Sequence, residues 1–143
     1  MYPLSQVTVA TRVKNAVAAG QTDQDGIVLD QADWDAIQGV ATLGAVTDAS
    51  QLELQLWGSP NADGSAAALV ATTGVIGALG SSNKVIVLDV IRPQPRYLFF
   101  RVKRGGQNAA LDSMLAIQYR CRDTKLDINQ GATIQSVTTV IAG

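Results

Sequence analysis

The residues best suited to binding chemistry lie between positions 92 and 104. Five basic residues and three aromatic residues share this stretch: Arg92, Arg96, Arg101, Lys103, Arg104, Tyr97, Phe99 and Phe100. Aromatic rings between basic residues can stack on nucleic-acid bases, but arginine is also the charged residue preferred in protein interfaces. On a strand, Tyr97 and Phe99 would share one face and Phe100 the other, so some rings must belong to the core. We therefore interpret Arg92, Arg96, Arg101 and Arg104 as candidate protein-interface residues.

The usual catalytic residue types are scarce. The chain has no histidine and one cysteine, Cys121. It therefore cannot form a Ser-His triad or a thiolate zinc site. In an alternating strand, Cys121 is interpreted as a small core residue. No glycine-rich phosphate loop occurs. We predict no catalytic residue and no cofactor, which leaves carboxylates with a metal as the one remaining route to an enzyme.

The carboxylates give weak signals. Asp23-Gln24-Asp25-Gly26 resembles the start of a calcium loop, but its glycine comes too early and Ala32 occupies the late acidic position. Asp33 and Asp35 flank Trp34, so on a strand they would share one face. A paired acid–base role is conceivable there, but a solvated face is the preferred interpretation. We predict no metal site.

Strand patterns dominate the middle of the chain. The predicted strands are Trp34–Leu43, Gln51–Trp57, Lys84–Ile91, Arg96–Lys103 and Ser113–Arg122. The β-branched run Lys84–Ile91 is typical of a strand buried on both faces. Gly39 indicates a bulge or a close approach. In the last strand, Leu115, Ile117, Tyr119 and Cys121 alternate with Gln118, Arg120 and Arg122.

Short strands separated by turn residues predict an all-β fold, a jelly-roll-like β-sandwich with extended terminal arms. We predict an N-terminal arm at residues 1–22, the sandwich at 23–122 and a C-terminal arm at 123–143. The arms are rich in polar residues, with thinly spread valines and isoleucines that also allow edge strands.

Charge is low overall and uneven along the chain. The net charge of −1 argues against non-specific nucleic-acid binding. Residues 1–83 carry eight acids and two bases, giving −6, whereas residues 84–143 carry nine bases and four acids, giving +5. Two interpretations remain open: the asymmetry serves association between molecules, or strands from the two halves lie side by side. The sequence shows neither a signal peptide nor a membrane span, so we expect synthesis in a cytoplasm.

One segment resembles a known pattern. In Lys84–Lys103 an apolar strand ends in Leu88-Asp89-Val90, a corner carries Arg92-Pro93 and Arg96-Tyr97, and a second strand follows. This segment and its flanks, from about Asp25 to Arg122, resemble the head cement, or capsid decoration, proteins of tailed bacteriophages. Those proteins are jelly-roll domains on the outside of the capsid, at seams between capsomers, often as dimers.

The resemblance implies a structural virion protein on the capsid surface. Its partners would be the major capsid protein and a second copy of itself, with a trimer as the alternative, and neither a membrane nor nucleic acid. Two other classes stay open: another virion part (tail, fibre or head completion), and a small ligand- or carbohydrate-binding β-domain. In the second case Trp34, Trp57 and the carboxylates would form the site.

Overall fold

A computed structural model of the chain describes residues 3–77, 82–121, 133, 134 and 136. A short 3₁₀ helix, Leu4–Gln6, precedes the strands. The strands are β1 (Thr8–Lys14), β2 (Val17–Gly20), β3 (Gln24–Asp25), β4 (Leu29–Asp30), β5 (Trp34–Val46), β6 (Gln51–Ser59), β7 (Ala68–Thr72), β8 (Ile76–Gly77), β9 (Val85–Ile91), β10 (Tyr97–Gly105) and β11 (Ala109–Cys121). No helix in this part of the chain is long and apolar enough to cross a bilayer.

The strands form two antiparallel sheets. The first sheet has the order β1-β11-β5-β9, with β2 also on β11, and the second has β3-β10-β6-β7, with β4 on β10 and β8 on β6. If each broken pair (β1/β2, β3/β4, β7/β8) counts as one strand, the first strand pairs with the eighth, the second with the seventh, the third with the sixth and the fourth with the fifth. This nested pairing is a long hairpin rolled into two layers, which is jelly-roll connectivity. The predicted all-β sandwich is confirmed.

The core lies between the sheets and follows the period of two. On β6, Leu52, Leu54 and Leu56 are fully buried, as their alternation predicts. Phe100 reaches across from β10 and lies directly against Gly39 of β5. A Cβ built on Gly39 would lie 2.5 Å from Cε1 of the Phe100 ring. Gly39 therefore marks a close approach between the layers, one of its two predicted roles.

The N-terminal boundary differs from the predicted one. Residues 1–22 were expected to form an arm, but β1 and β2 lie within them and pair with β11. Val13 of β1 is 2% exposed and belongs to the core. The sandwich therefore begins at β1, because burial of this valine and a full ladder hold the segment in the first sheet.

Two other expectations have different outcomes. The C-terminal arm at 123–143 lies outside the described residues, apart from 133, 134 and 136. The hydroxyl of Thr133 there accepts a hydrogen bond from the Arg12 backbone N–H at 2.9 Å.

Cys121 is half-buried rather than part of the core, because it is the last residue of β11 and lies beyond the packed interior.

Candidate interaction surfaces

The outer face of the second sheet carries an arginine–aromatic surface. Along β10, Leu98, Phe100 and Val102 face the core, so the alternate residues face outward. The strand register places Trp57 of β6 beside Phe99, with their rings nearly parallel and 6.5 Å apart. We define the arginine–aromatic surface as Trp57, Arg96, Tyr97, Phe99 and Arg101, of which Phe99 is only 7% exposed.

Arg101 is held in place on several sides. Its Nε and Nη2 donate to the two carboxylate oxygens of Asp25 at 2.6 and 3.0 Å. The guanidinium also lies over the rings of Trp57 and Phe99, with its carbon 4.6 and 5.8 Å from the ring centroids. The hydrogen bonds to Asp25 raise the pKa of Arg101. This side chain is therefore ordered before any partner arrives.

Arg96 makes a second bidentate pair. It donates to both oxygens of Asp30 at 2.8 and 2.7 Å and lies over the Tyr97 ring, 5.2 Å from its centroid. These hydrogen bonds lower the pKa of Asp30. Both ion pairs join an acid of the N-terminal half to an arginine of the C-terminal half, so strands from the two halves lie side by side. The uneven charge of the sequence is partly neutralised within the fold.

A hydrogen-bonded chain extends this surface along β6. The Trp57 indole N–H donates to Gln55 at 2.9 Å, and the Gln55 amide donates to Glu53 at 2.8 Å. The Thr72 hydroxyl donates to the same Glu53 carboxylate. The bonds from Thr72 and Gln55 lower the pKa of Glu53. These hydrogen bonds fix the orientation of the Trp57 ring.

The four predicted interface arginines have different environments. Arg92 is exposed and, unusually for a side-chain-bearing residue, has a positive φ of 54°. Arg96 and Arg101 lie on the arginine–aromatic surface. Arg104 is only 5% exposed, which corrects its assignment to an interface. Its place on β10 explains this, because it follows Leu98, Phe100 and Val102 on the core-facing side.

Arg104 instead ties backbone segments together. Its Nε donates to the carbonyl of Thr22 at 2.8 Å, and Nη1 donates to the carbonyls of Ala18 and Ala109 at 2.9 and 2.6 Å. Burial lowers its pKa, but an arginine stays charged. The guanidinium joins the β2 region to the start of β11.

Several residues suggested for a ligand or metal site are buried or engaged by other side chains. Trp34 is 9% exposed, and the guanidinium of Arg101 lies over the Trp57 ring, so neither indole presents an open stacking platform. Asp25, part of the calcium-like sequence, is engaged by Arg101. Within the described part of the chain, no three acidic or cysteine side chains are placed to hold a metal.

The outer face of the first sheet carries an apolar patch, which the sequence patterns did not predict. The register aligns Leu115, Val40 and Val87 across β11, β5 and β9, with Ile117 and Val85 in neighbouring rows. Val85 and Val87 are 52% and 51% exposed. The run Lys84–Ile91 was predicted to be buried on both faces, yet among the described residues only one face of β9 is covered. We define these five residues (Val40, Val85, Val87, Leu115 and Ile117) as the apolar face.

A polar group borders the apolar face. Asp89 of β9 accepts a hydrogen bond from the Tyr119 hydroxyl at 2.5 Å and one from the Gln38 amide at 3.4 Å. The bond to Asp89 and partial burial raise the pKa of Tyr119 to about 12. The phenol of β11 therefore lies across β5 to reach β9.

Tyr119 is expected to ionise near pH 12. Its pKa is raised in the fold, so any stability that it contributes is complete below the unfolded pKa of about 10 and is lost as pH rises through about 12. Asp89→Asn removes the negative charge and should move this ionisation toward about pH 10. Absorbance of the phenolate during alkaline titration reports it, with Tyr119→Phe identifying the signal. An unchanged titration in Asp89→Asn would contradict the assignment.

The pairing order defines the chain as a jelly-roll domain. It aligns over 97% of its length with the solved structure of the PBSX exported protein XepA, at a TM-score of 0.56 and 16% identity. It spans 46% of that protein, so it corresponds to about half of it. This likeness establishes the fold alone.

Two further solved structures are less similar. One belongs to Bacillus endospore appendages, described as disulfide-linked pili, with 11% identity, a TM-score of 0.49, and coverage of 80% of this chain and 89% of that one. The other belongs to infectious bursal disease virus, Gx strain, with 11% identity, a TM-score of 0.46, and coverage of 78% and 31%. No family model and no curated protein matches the sequence.

Proposed function

We propose that this chain is a structural protein of a phage particle that binds the outside of the capsid at seams between capsomers and stabilises the shell. Its partner would be the major capsid protein. The observation that carries the proposal is the ordered arginine–aromatic surface of the second sheet. The sequence resemblance to cement proteins supports it, and the fold shared with the PBSX exported protein XepA is compatible with it.

The surface has the composition and order of a binding surface. Tryptophan, tyrosine and arginine are the residues that most often dominate binding energy at protein interfaces. Here their side chains are already fixed by Asp25, Asp30 and Gln55. Less rotamer freedom is therefore lost when a partner binds.

On a capsid, a weak contact between each copy of this chain and the shell would be sufficient to stabilise the particle. A symmetric shell presents the same seam many times, and each copy of a cement protein adds its own contribution. A protein that binds the assembled shell but not dissociated subunits shifts the equilibrium toward the shell by mass action. The stabilisation is thermodynamic and needs no catalytic group.

Purified chain is expected to co-sediment with shells that lack it and to saturate at a fixed ratio to the major capsid protein. Arg101→Ala removes the cation over Trp57 and should weaken this binding by about tenfold. Arg120→Ala is the matched control, because Arg120 is exposed at the end of β11. A connector or tail part would instead saturate at a few copies per particle.

Two results would count against the proposal. One is a chain that never co-sediments with shells at any concentration. The other is equal binding by Arg101→Ala, Arg120→Ala and the unchanged protein, which would remove the arginine–aromatic surface from the contact.

A further inference from the structure

Among the residues that the structure describes, no second layer lies over the apolar face of the first sheet. Val85 and Val87 alternate with Ile86, which is 7% exposed and packs in the core. On the outer side the two valines remain about half exposed, beside Val40 and Leu115 on the neighbouring strands. Apolar side chains in adjacent rows on one flat sheet commonly mark a contact surface.

We propose that a second copy of this chain covers the apolar face, with the two first sheets packed face to face about a two-fold axis parallel to their strands. This inference stands independently of capsid binding, which uses the second sheet. The axis would run between β11 and β5, so that Leu115 of each copy meets Val40 of the other. Sheets packed in this way keep their strands roughly aligned.

Charge complementarity selects this arrangement. Arg12 lies exposed on β1 at one edge of the first sheet, in the row of Leu115, Val40 and Val87. Asp89 lies exposed on β9 at the other edge, one row along. Neither forms an ion pair with another described residue, and Asp89 accepts hydrogen bonds only from the uncharged side chains of Tyr119 and Gln38 among those residues. An axis parallel to the strands places β1 of each copy over β9 of the other, and Arg12 then meets Asp89 twice.

The small size of Ala10 leaves room for this pair. The register places Ala10 in the same row as Asp89, through Ile117 and Gln38. In the dimer the short Ala10 side chain would lie over Asp89, so the long Arg12 side chain can reach the carboxylate. An axis perpendicular to the strands would instead bring β9 onto β9 and β1 onto β1, with like charges together.

The size of the face predicts a weak dimer. Four strands about 4.8 Å apart and about seven residues rising about 3.4 Å each give a footprint of about 450 Å². Stable interfaces bury about 800 Å² on each partner. The dimer should therefore form reversibly, and sedimentation velocity from about 10 μM to about 1 mM should show it.

The sharpest test mixes two variants of opposite charge. Arg12→Glu alone places a new carboxylate against the unchanged Asp89 of the other copy. Asp89→Arg alone places a new guanidinium against the unchanged Arg12. Each variant should dimerise about tenfold or more weakly than the unchanged chain. An equimolar mixture brings the new carboxylate of one variant against the new guanidinium of the other, and its remaining contact is the native pair. The mixture should therefore regain dimers that contain one copy of each variant.

Controls separate this pairing from general charge effects. Lys103→Glu and Asp48→Arg make the same charge changes away from the first sheet and should dimerise like the unchanged chain, alone or mixed. If Asp89→Arg proves unstable, Val87→Ser serves as the test variant instead. Val87 is half exposed on the outer side of β9, and its replacement by serine should weaken the dimer.

Three outcomes overturn the inference. In the first, the mixture of the two variants stays monomeric although both variants remain folded. In the second, the unchanged chain is monomeric throughout the concentration range of the sedimentation experiment. In the third, Val87→Ser abolishes shell binding without changing self-association, which would assign the apolar face to the shell. Shell binding by a strictly monomeric chain would overturn the dimer and leave the proposed function intact.

Discussion

Replacing Gly39 by alanine is expected to lower the free energy of unfolding by about 3 kcal/mol, the upper part of the range for an overpacked core. The new methyl group would lie 2.5–2.8 Å from three carbon atoms of the Phe100 ring. Phe100 is fully buried between the sheets, and movement of a buried ring disturbs its packed neighbours. Chemical denaturation followed by tryptophan fluorescence measures the loss.

A smaller residue at position 100 should relieve the clash. In a Phe100→Leu background, Gly39→Ala is expected to cost at least about 1 kcal/mol less, because residues in contact are not additive. Gly105→Ala is the matched control, since no atom lies within 4 Å of a Cβ at Gly105. An equal cost in both backgrounds would contradict the close approach of the two layers at Gly39.

Replacing Arg104 by methionine is expected to cost about 3 kcal/mol, because methionine fills much of the same volume but leaves one buried and two partly buried carbonyls without their donor. These are the carbonyls of Ala18, Thr22 and Ala109. Chemical denaturation measures this loss as well. Arg104→Lys should restore little of the lost stability, because one ammonium group cannot reproduce the forked guanidinium that reaches separate carbonyls.

Lys103→Met provides the control for this prediction. Lys103 is the neighbouring residue on β10, but it is exposed on the outer side of the second sheet. Its replacement should change stability by less than about 0.5 kcal/mol. If Arg104→Met were equally harmless, Arg104 would not tie β2 to β11.

The strands of the middle of the chain follow from local pattern. In Gln51–Leu56 polar and apolar residues alternate without exception, and Leu52, Leu54 and Leu56 face the core. A glycine in an otherwise strand-forming run correctly indicated the approach of another layer. The alternation depends on neighbours along the chain, which a sequence displays directly, whereas Phe100 as the partner of Gly39 is visible only in the structure.

Two errors arose where distant residues decide the environment. Gln118 was grouped with the arginines of its strand, but it is 6% exposed and its amide donates to the Asp30 carbonyl at 2.9 Å and to the Gln31 side chain at 2.8 Å. Buried polar partners far away in sequence make this orientation favourable, and Leu115 and Ile117 then face outward. Arg104 is buried for the same kind of reason, because its acceptors come from the β2 region and β11.

The candidate surfaces were only partly accessible to sequence reasoning. The cluster of arginines and aromatic residues was evident, but its carboxylate partners Asp25 and Asp30 come from strands far away in sequence. The β-branched run of β9 suggested two covered faces, whereas the described part of the chain covers one. Pairing between distant strands determines both features, and a single sequence does not display that pairing.

The most direct test of the proposed stabilising role is the melting temperature of shells that lack the protein, measured before and after the purified chain is added back. We expect depleted shells to form but to rupture at a lower temperature. Replenishment should restore their melting temperature in proportion to occupancy, and Arg101→Ala should restore less than Arg120→Ala at equal concentration. Depleted and replenished shells that melt at the same temperature would contradict the account.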